Sequence, residues 1–209
     1  MTIDIARQIG AVTRSVTARQ HEGRQARVIV VEQTYPTSAG DLWEAVTTAE
    51  RLPRWFMPIT GDLRIGGRFQ LEGNAGGEIL VCKRPRLLKV TWEFGGKISW
   101  VDVHIKKVTN ESARLTLEHL LFEDDHWELY GPGGPGVGWD MGLMGLLWHL
   151  ETGQSTTPAD GMAWLMSEDG KTFSRRSSDA WRVAAIASGT DPEVANAAAD
   201  RTTAAYTGA

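Results

Sequence analysis

At 209 residues, 42% of them hydrophobic, the chain is long enough for one domain with its own core and an appendage. A net charge of −4 without any basic stripe speaks against a nucleic-acid binder, and a single cysteine, Cys82, excludes an intrachain disulfide. The opening residues carry no basic segment followed by an apolar one, so no secretion signal is expected and the cytoplasm is the default location.

In chain order, Met1 to Gly10 suits a short helix. Val12, Arg14, Val16 and Ala18 alternate with mostly polar neighbours, a turn follows over 21–24, and Arg27 to Tyr35 is β-branched, so the two arms read as a hairpin. Thr37 and Ser38 then offer capping hydroxyls to a short helix with Asp41 in its first turn and Leu42, Trp43 and Val46 on its apolar side. A second short helix is expected over Ala49 to Arg54, ended by the aromatic step Trp55-Phe56-Met57-Pro58. From Gly61 onward, short strands alternate with tight turns. They are Arg68–Glu72, Glu78–Lys83, a strand marked by Leu88, Val90, Trp92 and Phe94, Ile98–Val108, and Arg114–Phe122. Such spacing predicts an antiparallel meander with one face in need of cover.

The cover is expected from Gly136 to Leu150. Trp139, Leu143, Leu146, Leu147 and Leu150 recur at helical spacing, and Met141, Met144 and Trp148 add a second apolar line. A helix apolar nearly all round is a buried one, and this run falls short of the ~20 residues that span a bilayer. Gly138, Gly142 and Gly145 form a strip without side chains. Mid-helix glycine costs roughly 1 kcal/mol relative to alanine, so the strip implies the close approach of a sheet, a partner helix or a ligand. Nine tryptophans likewise imply a large aromatic core or an aromatic-lined cavity.

After Gly153 a polar, linker-like stretch runs to Pro158, and apolar residues resume at Met162, Trp164 and Leu165. Ser177-Ser178-Asp179 reads as a helix start, with Trp181, Val183, Ala184 and Ile186 following and Gly189 ending it. Asp191-Pro192-Glu193 starts a last helix to about Tyr206. These Ala-rich helices cannot form a core alone. Trp164, Trp181, Val194 and Tyr206 are therefore expected to bury against the main domain or across a homodimer. The division that results is an arm over 1–24, a domain over 25–153 and a helical extension over 154–209.

The densest polar cluster is Glu118-His119 with Glu123, Asp124, Asp125, His126 and Glu128. Carboxylates with imidazoles can hold a metal or move protons, yet no tight ligand spacing is present, and a solvated rim with no bound metal is expected. His119 shares the parity of Leu115, Leu117 and Leu121 and should face the core, opposite Glu118. Asp102 and His104 share a parity with Trp100 and are expected to face solvent, because Val101, Val103 and Ile105 form the more apolar face. Tyr130 to Gly138 (YGPGGPGVG) lacks the Lys-Ser/Thr of a phosphate loop and reads as a flexible mouth, with Asp140 serving the N-terminus of the helix behind it. No nucleophile elbow is present, and Cys82 has no histidine close in sequence, so nucleophilic catalysis has no support.

The phrases TYPTSAGDLWEAVTTAERLPRWF, GGRFQLEGNAGGEIL, LKVTWEF and GPGVGWDMGLMGLLWHL, in that order over about Arg27 to Gly153, resemble the helix-grip (START-like, SRPBCC) superfamily. The likeness is closest to the branch named after the C-terminal domain of the activator of the heat-shock-protein-90 ATPase. The resemblance implies an α+β fold in which a curved antiparallel sheet wraps a long helix, with a cavity between them for an apolar molecule. Its expected lining is Trp55, Phe56, Phe69, Leu71, Trp92, His119, Trp139, Leu143 and Trp148, with Gly142 and Gly145 leaving room. The expected function is a cytosolic binding protein for a small apolar or amphipathic ligand, with no catalysis, cofactor, nucleic acid or membrane assigned. One alternative is a co-chaperone-like interaction module with a chaperone partner; the resemblance implies that co-chaperone relatives pair this domain with a separate N-terminal domain, which is not expected within these 209 residues. A second is an enzyme of the polyketide-cyclase kind, which would need His119 or Glu78 inside the cavity.

Overall fold

Asp4 accepts a hydrogen bond from the Arg7 amide and so starts α1 (Ile5–Ala11) in the computed structural model, which describes residues 3–209. A helix was expected over Met1–Gly10; residues 1 and 2 lie outside the described residues. The hairpin follows as β1 (Thr13–His21) and β2 (Arg24–Tyr35). Ser38 caps α2 (Ala39–Thr47), accepting from the Asp41 amide as its hydroxyl suggests. The second short helix shrinks to one 3-10 turn, Leu52–Arg54, which has no side-chain cap and takes proline at its start. The meander is β4 (Arg68–Leu71), β5 (Gly76–Lys83), β6 (Leu87–Phe94), β7 (Lys97–Lys107) and β8 (Ala113–Leu121). It is preceded by a three-residue strand missed from sequence, β3 (Ile59–Gly61). The eight strands form one sheet in the order β1-β2-β8-β7-β6-β5-β4-β3.

Register settles which side chains share a face. Val90 stands opposite Val101, Trp92 opposite Ser99, and Val101 opposite His119, so these residues point one way. Lys89, Asp102 and Glu118 point the other way, in one row across three strands. That second face is not simply solvated. Asp102 is only 6% exposed and is ion-paired with Lys89, which corrects the expectation of an open polar face.

Three helical expectations change. The acidic run after β8 forms α3 (Asp125–Tyr130), capped by Asp124 through the Trp127 amide, where a loop was expected. The glycine-rich stretch is mostly not a loop, because α4 begins at Gly133 and runs to Thr152. After α5 (Pro158–Leu165), α6 starts at Glu168 with Ser167 as its cap and reaches Ala187. Ser177 and Ser178 are thus buried mid-helix residues; their hydroxyls serve tertiary partners and do not cap a helix. The last helix, α7 (Pro192–Thr207), has the expected Asp191 cap and a left-handed Gly208 at its end.

The chain forms two compact units. One comprises Met1–Val31, Phe122–Met144 and Ala159–Ala209. In it α6 packs on β1, α1 and α7, and α7 packs on α3. Phe173 and Trp181 are fully buried, and Trp164 meets Phe173 edge-on at 5.8 Å. Val194, expected to be buried, is 54% exposed. The other unit comprises Glu32–Leu121 and Gly145–Pro158. Here α2 packs on β7, β8 and the 3-10 turn, burying Leu42, Trp43 and Ala45, and the Trp55 indole donates to the Ala45 carbonyl at 2.9 Å. This α+β order of hairpin, short helices, meander and long helix, followed by a helical extension, is the helix-grip fold. Among the described residues no helix is long and apolar enough to cross a membrane.

Candidate ligand site

Alternation along β4, β6 and β8 brings three of the expected lining residues into one row. Phe69 and Trp92 have ring centroids 6.4 Å apart, and Trp92 meets His119 edge-on at the same distance. Phe69, Leu71 and His119 are buried, while Trp92 between them is only half-buried. Gly77, opposite Phe69, makes the approach of β6 feasible: a Cβ there would lie 2.0 Å from the Thr91 carbonyl oxygen. Glu78 falls on the opposite face, in register with Arg68. His119 is therefore the proton-active side chain of this row.

Its state follows from its surroundings. Burial drives its pKa down to about 4, so the imidazole is neutral at pH 7. The Ser99 hydroxyl donates its one proton to the Trp92 carbonyl at 2.9 Å. The 2.8 Å contact between His119 Nε2 and Ser99 Oγ is then donated by the imidazole, which puts the proton on Nε2 and leaves Nδ1 the acceptor nitrogen. The row thus combines apolar rings with one uncharged polar group.

The remaining expected residues are placed as follows. Trp55 and Phe56 stack at 5.3 Å, both partly buried. Gly145 admits the Trp55 carbonyl, which would stand 2.8 Å from a Cβ, and Trp148 on the same end of α4 is half-buried. Trp139, Gly142 and Leu143 belong to the first unit; the last two are buried. Of the acidic cluster, His126 is exposed and lies against Tyr130 at 4.8 Å on α3.

The first unit holds two features that sequence patterns did not disclose. Asp140 does not serve a helix end. It is completely buried as the eighth residue of α4, bonded by Arg14 Nε, the Ser177 hydroxyl and the Trp181 indole. Burial pushes its carboxyl up from the usual range, against the pull of these donors. Arg14 also donates to the Ile9 and Val12 carbonyls, tying α1 and β1 to α4. The second feature is a half-open cleft of about 260 Å³ lined by Trp127, Tyr130, Trp181, Arg182, Ala195 and Ala198 among others. None of the expected lining residues borders it. The only advance signal was the alanine-rich spacing of the last helix, which leaves such gaps.

The family model described as "Activator of Hsp90 ATPase homolog 1-like protein" matches residues 36–151. Among solved structures, the crystal structure of CalU16 from Micromonospora echinospora is 31% identical, covers 83% of this chain and 98% of its own, and superposes with a TM-score of 0.67. The solution structure of CalU16 gives 30% identity, coverages of 86% and 97%, and a TM-score of 0.72. DynU16, from the dynemicin biosynthetic locus, is 22% identical over 61% of this chain and 48% of its own, with a TM-score of 0.53. An HSP90 activator from Plasmodium falciparum is 25% identical over 46% of this chain and 74% of its own, at a TM-score of 0.43. No curated protein matches the chain.

Proposed function

The chain belongs to the activator of Hsp90 ATPase homolog 1-like family, and we propose that it works as a cytosolic binding protein for a small apolar or amphipathic ligand. The site is the sheet face carrying Phe69, Leu71, Trp92 and His119. One observation carries the reading. A half-buried indole lies between a phenyl ring and a buried, uncharged imidazole, and a face of this kind suits an apolar molecule bearing one hydrogen-bonding group. Trp55, Phe56 and Trp148 in the same unit are further candidates for the wall.

Native mass spectrometry of gently purified full chain should reveal a co-purifying small molecule, and calorimetry with lauric acid should give saturable binding. Trp92→Ala is expected to weaken that binding more than tenfold while the protein stays folded, since stacking on one aromatic side chain is worth about 1 kcal/mol or more beyond area. Unchanged affinity in a folded Trp92→Ala protein would remove the site. The family description supports a second reading, a contact with a heat-shock-protein-90 chaperone, which stimulation of that chaperone's ATPase by this chain would favour.

A further inference from the structure

Behind the aromatic face, β7 and β8 assemble a different set of donors. Asp102 stands directly opposite Glu118, and His104, two residues on, points to the same side as Asp102. One ligand atom from each lies within 4.8 Å of the other two. Asp102 is buried, whereas His104 and Glu118 are partly open to incoming solutes. Two carboxylates facing each other across a ladder repel. The protein offsets this with a cation: Lys89, the partner of Asp102 on β6, donates its ammonium to Asp102. The position is thus already one that holds positive charge.

We propose that Asp102, His104 and Glu118 form a binding site for a single zinc-class divalent ion, with Lys89 as its built-in competitor. The donor set decides the class. One imidazole nitrogen and two carboxylates, with water in a fourth position, suit zinc, whereas calcium and magnesium take six or more oxygen ligands. Zinc–nitrogen and zinc–oxygen bonds of about 2.0–2.2 Å set tetrahedral donors about 3.3–3.6 Å apart. The present separations, all within 4.8 Å, need contract by at most about 1.5 Å to reach this. Rotation of the Glu118 side chain can supply that contraction, while the paired backbones of β7 and β8 keep their register. Metal entry draws Asp102 away from Lys89, which moves its ammonium into solvent; Lys89 is 37% exposed and free to do so. Exchange of one cation for another makes the site a reversible one. The site does not depend on the ligand reading, since it lies on the opposite face of the sheet.

The test is calorimetric titration of chelator-treated full chain with zinc chloride. One ion per chain should bind, and His104→Gln and Glu118→Gln should each weaken it by more than about tenfold, the loss that even an outer-sphere partner can cause. Lys89→Met should tighten it severalfold, a result that a merely structural role for Lys89 would not give. As a check on the unmodified chain, zinc should protect His104, and not His126, from diethylpyrocarbonate, read by peptide mass mapping. The proposal is overturned by absence of saturable binding, by unchanged affinity in His104→Gln, or by protection that falls on His126.

Discussion

A histidine kept neutral by burial makes the fold sensitive to acid. The ordinary imidazole pKa of 6.5 falls to about 4 for His119 in the folded protein. As pH drops below 6.5 the unfolded chain takes up a proton that the folded one refuses, so stability is fully present above 6.5 and is lost progressively down to about 4. Each pH unit in that window is worth up to about 1.4 kcal/mol. Urea unfolding at pH 7.5 and 5.0 should therefore show the wild type losing about 2 kcal/mol more than His119→Gln. Equal losses would place His119 in water. The direction of this side chain was legible beforehand, because strand parity with Leu115, Leu117 and Leu121 is local information. The role of Asp140 was not. Its partner Arg14 is 126 residues away, and no periodicity encodes a contact at that range.

At the scale of elements, glycines explain why α4 can be approached by the tail. Gly136 lies under Trp181, where a Cβ would stand 2.3 Å from the indole Cε2. Alanine is the better helix former by about 1 kcal/mol, but here the ring must move. Gly136→Ala should thus destabilise the protein by about 1–3 kcal/mol, and the penalty should shrink when Trp181→Leu is already present. A double-mutant cycle by chemical denaturation measures this coupling, and additive effects would contradict it. The sequence made the glycines conspicuous and left open whether a sheet, helix or ligand used the space. Of the strip Gly138, Gly142 and Gly145, a Cβ at Gly138 would meet the Tyr206 hydroxyl at 3.4 Å and one at Gly145 the Trp55 carbonyl at 2.8 Å, so protein uses the space at both; Gly136, outside that strip, takes the Trp181 ring. Helix starts were less legible. Ser177 and Ser178 carry the right chemistry for caps, but the cap of α6 is Ser167, ten residues before Ser177. A serine's sequence neighbourhood does not say whether its hydroxyl ends a helix or bonds across to another, as Ser178 does to the Ala199 carbonyl.

For the whole molecule, the tail completes a core. Phe173 and Trp181 are fully buried, Tyr206 donates to the Gly134 carbonyl at 2.8 Å, and burial raises its hydroxyl pKa to about 12. Deleting everything after Gly153 removes two of the groups that bond Asp140 and strips the cover from β1 and α1. The truncated chain should aggregate or melt well below the full chain in a thermal scan. A soluble product with an unchanged melting temperature would show that the tail is dispensable. That the tail must bury its aromatics was legible from its poverty in apolar residues. Which surface receives them was not, since β1 reads as an ordinary half-polar strand.

The same arrangement has a consequence during synthesis. Arg14 leaves the ribosome long before Trp181, the indole that shares its carboxylate partner. At ~5–20 residues per second the interval is roughly 10–30 s. Throughout it β1 is an edge strand without its helix, with a buried-type arginine and Val16 exposed to water. The yield of folded protein should therefore depend on translation speed more than its finished stability would suggest.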